Sequence, residues 1–343
     1  MVQIPSIPAP AEAKPPTPEG LNADPEFVPM MADCYTMFDK FWALDMAEYK
    51  AAWLSAPGAL RPEVPGLDQI DVRLDRAPVS DGTLLEIQIY SPKDADDKIL
   101  PLMYVMHGGG WTIGSHSVEE GVNRNVCVRN QMRVISVDYR MAPEFRFPYA
   151  VNDSWDVLVW CQKNAEKLKI DPNRIILGGS SAGGNLGSYS SQAAIMAQRA
   201  RDEGFKGIIG QVLNIPATCH PDLFPKEKYN HTSWKENFHA PIVDYPKLIW
   251  YWDQYLPNVT RDVRHSPLLA DSFKGLPPAL IQVAGMDTLR DDGLAYGEAL
   301  KDAGVDTTVK LYPGVPHGFS FIPQLSKTAE YEDSIVDWIS KRL

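Results

Sequence analysis

The stretch ILGGSSAGGNLGSY, residues 176–189, decides the fold. An apolar run ends in two glycines, and Ser180 and Ser181 stand side by side before two more. With Arg174 and Ile175 ahead of it and SSQAAIMAQ behind it, the segment reads as strand, sharp turn, helix. Gly179 to Gly183 then spell G-x-S-x-G with Ser181 at the centre. A nucleophile on a tight strand-to-helix turn needs small neighbours two residues away on each side, where the backbone passes close to other elements. The turn lifts the Ser181 hydroxyl above the strand ends. It aims the N–H of Ala182 and a helix N-terminus at the same point, where an oxyanion develops. Ser180 has no such geometry and is expected to hydrogen-bond locally at the turn.

Working outward, short apolar runs rich in β-branched residues alternate with helical stretches. The runs are LPLMYVMH, MRVISVDY, RIILGGS, IIGQVLN, PALIQVAG and TTVKLYP, between residues 100 and 313. Continuous apolar strands alternating with helices predict a parallel sheet covered on both faces. Ahead of them, IDVRL and TLLEIQIY flank Asp81-Gly82, a turn signal, so 70–90 reads as a hairpin. The expectation is an α/β fold with a mixed, mostly parallel sheet of eight strands.

Two regions stand outside this alternation. Residues 27–55 carry apolar side chains at helical spacing and predict one or two amphipathic helices. Residues 216–265 hold no clear strand but many aromatics, among them Phe224, Trp234, Trp250, Tyr251 and Trp252. An insertion of this length after a sheet strand is read as a lid. The expected organisation is an extended, poorly ordered Pro-rich arm at 1–25, cap helices at 26–58, a core at 59–215 and 266–343, and a cap insertion at 216–265.

Other residues then fall into roles. HGGGW at 107–111 follows a buried strand, and its side-chain-free backbone offers the N–H groups of Gly108 and Gly109. Asp287 stands just after a strand, where α/β active sites gather. Its rivals Asp291 and Asp292 fall in the first turn of the next helix, where acids suit the dipole. His317 follows the last strand, so the order is Ser181, Asp287, His317. His107 belongs to the glycine loop and is expected to hold its shape. The remaining histidines have no visible partner, and no cluster has metal-ligand spacing.

Together HGGGW, DYRMAPEFRFPYAVND, GGSSAGGN, DTLRDDG and HGF resemble the hormone-sensitive-lipase group of the α/β-hydrolase superfamily, the HGGG esterases. The resemblance spans roughly residues 70 to 343. It implies a cofactor-free carboxylesterase with a helical cap, acting through Ser181 as nucleophile, His317 as base, Asp287 as acid, and an oxyanion hole of Gly108, Gly109 and Ala182. Many relatives carry Asp or Thr where this chain has Ser180. Relatives are often homodimers joined through the last strand, here TTVKLYP. Phe38, Trp42 and Trp111 are expected to line an apolar substrate pocket suited to short- or medium-chain or bulky aromatic esters.

Three alternatives use the same frame: a lactonase, an acyltransferase or deacylase on the same triad, or a receptor that binds a small ligand after losing its base. The presence of His317 in its motif argues against the receptor. The 343 residues carry a net charge of −11, which argues against nucleic acid and anionic membranes as partners. No run of 18 apolar residues exists, so no membrane span is expected. The four scattered cysteines and a start without a basic n-region or apolar h-region are read as a cytoplasmic protein with free thiols.

Overall fold

The computed structural model describes residues 2–55, 60–95, 97–182 and 191–343, with nothing said of the side chains of residues 55, 191 and 192. Eight strands form one sheet: β1 (Ile70–Pro78), β2 (Leu84–Pro92), β3 (Leu100–Met106), β4 (Arg133–Val137), β5 (Ile170–Ser180), β6 (Ile208–Asn214), β7 (Ala279–Met286) and β8 (Thr307–Pro316). The order across the sheet is β1-β2-β4-β3-β5-β6-β7-β8. β2 pairs antiparallel with both β1 and β4, and the pairs from β4 to β8 are parallel. The hairpin and the six apolar runs are thus the eight strands. β3 and β4 are buried along their whole length, as strands covered on both faces must be.

Among the described residues ten helices accompany the sheet: α1 (Val28–Trp42), α2 (Met46–Ser55), α3 (Glu120–Arg129), α4 (Tyr149–Lys163), α5 (Ala165–Leu168), α6 (Ser191–Glu203), α7 (Ser233–Glu236), α8 (Tyr245–Tyr255), α9 (Arg290–Asp302) and α10 (Ser326–Ser340). The helix expected from residue 183 onward is described from Ser191; residues 183–190 lie outside the described part.

α1 buries Met31, Cys34, Phe38 and Trp42, an apolar stripe at spacings of three and four. α8 begins where the Asp244 side chain accepts the N–H of Lys247 at 2.9 Å, and it buries Leu248, Trp250, Tyr251, Trp252 and Tyr255. The two helices meet edge-on: the Trp42 ring lies 5.2 Å from both Trp250 and Tyr251. Tyr35 of α1 donates to the backbone oxygen of His239 at 2.6 Å. The N-terminal helices and the insertion therefore pack into one layer, and the insertion holds no strand.

Residues 2–25 form the arm. It is extended, but it is fastened along its length. Val2 N–H donates to Leu44 O at 2.8 Å, Glu12 pairs with Lys235 at 2.8 Å, and Lys14 reaches Glu236 at 3.3 Å. At its base Asp24 binds Lys327, and Asp24 N–H donates to Gly314 O at 2.7 Å. Proline-rich sequence forbids helix and sheet ladders, but it leaves side chains and isolated N–H groups free to dock.

Candidate active site

Each residue singled out in the sequence stands just past a strand end. Gly108 follows β3, Ser181 follows β5, Asp287 follows β7 and His317 follows β8. In a parallel sheet these C-terminal ends lie along one rim, where crevices form. Ser181 occupies the left-handed region at φ 51°, the strained conformation that a sharp strand-to-helix turn imposes. Its own N–H donates to Asn214 O at 3.2 Å, which ties the turn to β6.

Three side chains form one hydrogen-bonded line. His317 Nε2 is 2.8 Å from Ser181 Oγ, and His317 Nδ1 is 2.6 Å from Asp287 Oδ2. Asp287 Oδ1 accepts the N–H of Leu289 at 2.8 Å, and Asn237 Nδ2 donates to the Asp287 backbone oxygen at 3.0 Å. All three residues are buried. A carboxylate so held can fix one imidazole tautomer and ring orientation, and the other ring nitrogen then faces a hydroxyl.

The rivals are placed elsewhere. Asp291 Oδ2 accepts the N–H groups of Thr232 and Ser233 at 2.6 and 2.8 Å. Asp292 Oδ1 accepts those of Thr218 and Cys219 at 2.9 and 3.1 Å. Both acids clamp the inserted segment to the start of α9, a role that no local sequence signal announces. Ser180 Oγ sits 3.5 Å from both the Tyr331 hydroxyl and Asn214 Nδ2, at the long limit for a hydrogen bond.

The glycine loop is tightly folded. Gly109 has φ 122°, and a Cβ there would stand 1.9 Å from Ile113 O. Ile113 N–H donates to Gly109 O at 2.8 Å. His107 Nδ1 lies 2.8 Å from Gly108 O, its ring stacks on Tyr139 at 4.3 Å, and Tyr139 donates to His107 O at 2.7 Å. His107 thus braces the loop. Among the described residues, the N–H groups of Gly109 and Ala182 donate to no protein acceptor. That of Gly108 turns toward the Glu119 carboxyl.

A cavity of about 440 Å³, counting its open mouth, reaches His317, Gly108 and Gly109. Phe38, Trp42, Tyr49, Tyr251, Ile242 and Phe321 supply much of its wall. Phe38 and Trp42 are where the sequence placed them. Trp111 is not among its lining residues; its ring is stacked on Tyr255 at 3.6 Å and buried beside Trp252, because positive φ at residue 111 turns it under the insertion. Tyr49 and Tyr251, whose hydroxyls touch across α2 and α8, were not anticipated. They come from two segments 202 residues apart, so no periodicity links them.

The other histidines are packing residues. His116 binds Ser136 Oγ at 3.0 Å, His220 accepts Asp222 N–H at 3.2 Å, and His231 stacks on Phe224 at 3.9 Å. Among the described residues no group of three or more His, Cys, Asp or Glu side chains could hold a metal ion, and no helix is long and apolar enough to cross a membrane.

Residues 103–321 match the family described as having the alpha/beta hydrolase fold. The chain belongs to that family. The hydrolase is 35% identical to a carboxylesterase, NlhH, of Mycobacterium tuberculosis over 80% of its own length and 82% of the relative's. It is 38% identical to an AB hydrolase superfamily protein of Schizosaccharomyces pombe over 63% of its length, a match that spans 62% of that protein. Among solved structures, vibralactone cyclase superposes with a TM-score of 0.81 at 28% identity, covering 99% of this chain and 98% of that one. The hydrolase is of the hormone-sensitive-lipase-like carboxylesterase type, a carboxylic ester hydrolase.

Proposed function

We propose that this hydrolase is a serine carboxylesterase acting through an acyl-enzyme on small-molecule esters, with Ser181, His317 and Asp287 as its triad. The observation that carries this reading is the unbroken line from Ser181 Oγ through the His317 ring to Asp287, at 2.8 and 2.6 Å. His317 Nε2 takes the Ser181 proton as Oγ attacks the ester carbonyl. Asp287 stabilises the imidazolium and is not itself protonated. The carbonyl oxygen becomes an oxyanion. The N–H groups of Gly109 and Ala182, which donate to no protein acceptor among the described residues, are its donors, and each is worth on the order of 10²–10³ in rate; Gly108, expected as a third, instead turns its N–H toward Glu119. His317 then gives its proton to the leaving alcohol. Water, deprotonated by the same ring, attacks the acyl-Ser181 ester and releases the acid.

The cap of this reading comprises α1, α2 and the insertion with α7 and α8. Their aromatic wall favours apolar acyl or alcohol groups of short to medium length, or aromatic ones, over polar ones. The test is a p-nitrophenyl ester series from acetate to laurate, with wild type and Ser181→Ala in parallel. The expected result is turnover that peaks at short chains and falls by at least about 10⁴-fold in the variant. Full turnover in a folded Ser181→Ala variant would overturn the assignment.

A further inference from the structure

A second cleft opens beside the triad cavity, about 1180 Å³ counting the space open to solvent. The two share Phe38, Trp53, Val118 and Phe321 as a common wall, and Ser180, next to Ser181 in the chain, lines the second. The two therefore adjoin.

The chemistry of the cleft is one-sided. Among the described residues its lining includes three carboxylates, Glu119, Glu120 and Glu332, and no Lys, Arg or His. Two of the three are compensated. Glu120 binds Arg124 at 2.6 Å and accepts the Tyr90 hydroxyl at 2.5 Å. Glu332 binds Arg61 at 2.9 Å and accepts Asn125 Nδ2 at 3.2 Å. Glu119 accepts the Gly108 N–H but has no cation paired with it among the described residues. It is 6% exposed, and its Oε2 has no partner among the described residues. A buried carboxyl oxygen without a partner is costly and calls for an explanation. The aromatic rings of Phe38, Phe41, Trp53 and Phe321 line the same cleft. Phe41 and Trp53 stack at 5.8 Å and form one face.

On the esterase reading above, we propose that this cleft receives a protonated amine carried on the far end of the ester substrate, with Glu119 as its anionic anchor and the Phe41–Trp53 face as its cation–π wall. A neutral hydroxyl would recover only one hydrogen bond. An ammonium group recovers the ion pair and the ring quadrupoles together, and both are strengthened by desolvation. Burial pushes the Glu119 carboxyl well above the usual carboxylate range in the empty cleft. An arriving ammonium therefore displaces the carboxyl proton to water and leaves a neutral pair, with no uncompensated charge in the wall. The net charge of −11 also draws cations toward the molecule.

The test uses an isosteric pair: 2-(dimethylamino)ethyl butyrate, protonated at neutral pH, and 3-methylbutyl butyrate, which differs by CH for NH⁺. The quantity read is the ratio of their kcat/KM values. The ratio cancels any common loss that a change at Glu119 causes through the neighbouring Gly108. Wild type is expected to favour the amine at least 10-fold, mainly in KM, and Glu119→Gln to bring the ratio near 1. Phe41→Leu, which leaves the buried carboxyl in place, is expected to lower the ratio about threefold. An equal rate for both esters in wild type, or a preference that survives Glu119→Gln, overturns the proposal. So does a 3-hydroxypropyl ester preferred over the amine, which would make the cleft a neutral-donor site.

The esterase reading fails separately, through loss of neutral-ester turnover in wild type or its survival in Ser181→Ala. Calorimetry with N,N-dimethylbutylammonium alone reads the cleft without turnover. The expected Kd is at least 10-fold weaker in Glu119→Gln, and equal values in the two proteins overturn the proposal.

Discussion

At the scale of single residues, conformation and partner decide more than residue type. Three aspartates lie within six positions of each other, and only Asp287 faces an imidazole. Replacing it by Asn keeps the shape but leaves the wrong tautomer of His317 facing Ser181. The expected fall in kcat is about 10⁴-fold with KM little changed, measured on p-nitrophenyl butyrate. Gly109→Ala is a sterner change, because the new methyl would lie 1.9 Å from Ile113 O at a φ that L side chains rarely adopt. It is expected to cost on the order of 10²–10³ in kcat by displacing the oxyanion donor, and a folded variant of normal activity would sink that role for the loop. Ser181, Asp287, His317 and the glycine loop were legible because each follows an apolar strand directly, and the strand pattern fixes where such residues meet. Glu119 was not legible. It stands in a polar run, and it lines a cleft with residues of α1, α2 and α10 that the sequence does not bring near.

At the scale of elements, the strands were readable because their β-branched runs are bounded by Gly, Pro and charged residues. Pairing between distant helices carries no such local mark. Trp42 meets Trp250 because α1 and α8 each bury an aromatic stripe, and sequence periodicity gives the stripes without saying which stripe meets which. The junction between insertion and core rests on Asp292, whose carboxylate accepts two backbone N–H groups from Thr218 and Cys219. Asp292→Ala leaves both donors buried without a partner. It is expected to destabilise by about 2–6 kcal/mol, taking 1–3 kcal/mol for each of the two orphaned groups. Hydrogen exchange should show the loss first in residues 216–236. Uniform protection across the chain in a stable variant would contradict that clamp.

At the scale of the whole molecule, the buried histidines set an acid limit. Burial lowers His116, His220 and His231 to about 4 each. Their folded-state values lie below the ordinary value of 6.5, so the unfolded chain binds protons first as the solution is acidified. Stability from these groups is complete above about pH 6.5 and is lost as pH falls toward 4, at no more than about 1.4 kcal/mol per pH unit for each histidine. Calorimetric Tm should therefore fall over that window, and His116→Gln should flatten the fall. A Tm independent of pH from 6.5 to 4.5 would contradict the burial of these rings. The carboxylates Asp81 and Glu236, held down to about 2, act only at lower pH.

The order of the three reactive groups along the chain also matters while the protein is being made. Ser181 leaves the ribosome 136 residues before His317, and β8, the strand just ahead of His317, is an outer strand of the sheet and the last of the eight to be synthesised. Until that strand docks, the serine faces no base and has the reactivity of an ordinary alcohol. On the triad proposed above, hydrolysis therefore requires the whole sheet, since serine and base come from strands at its centre and its edge.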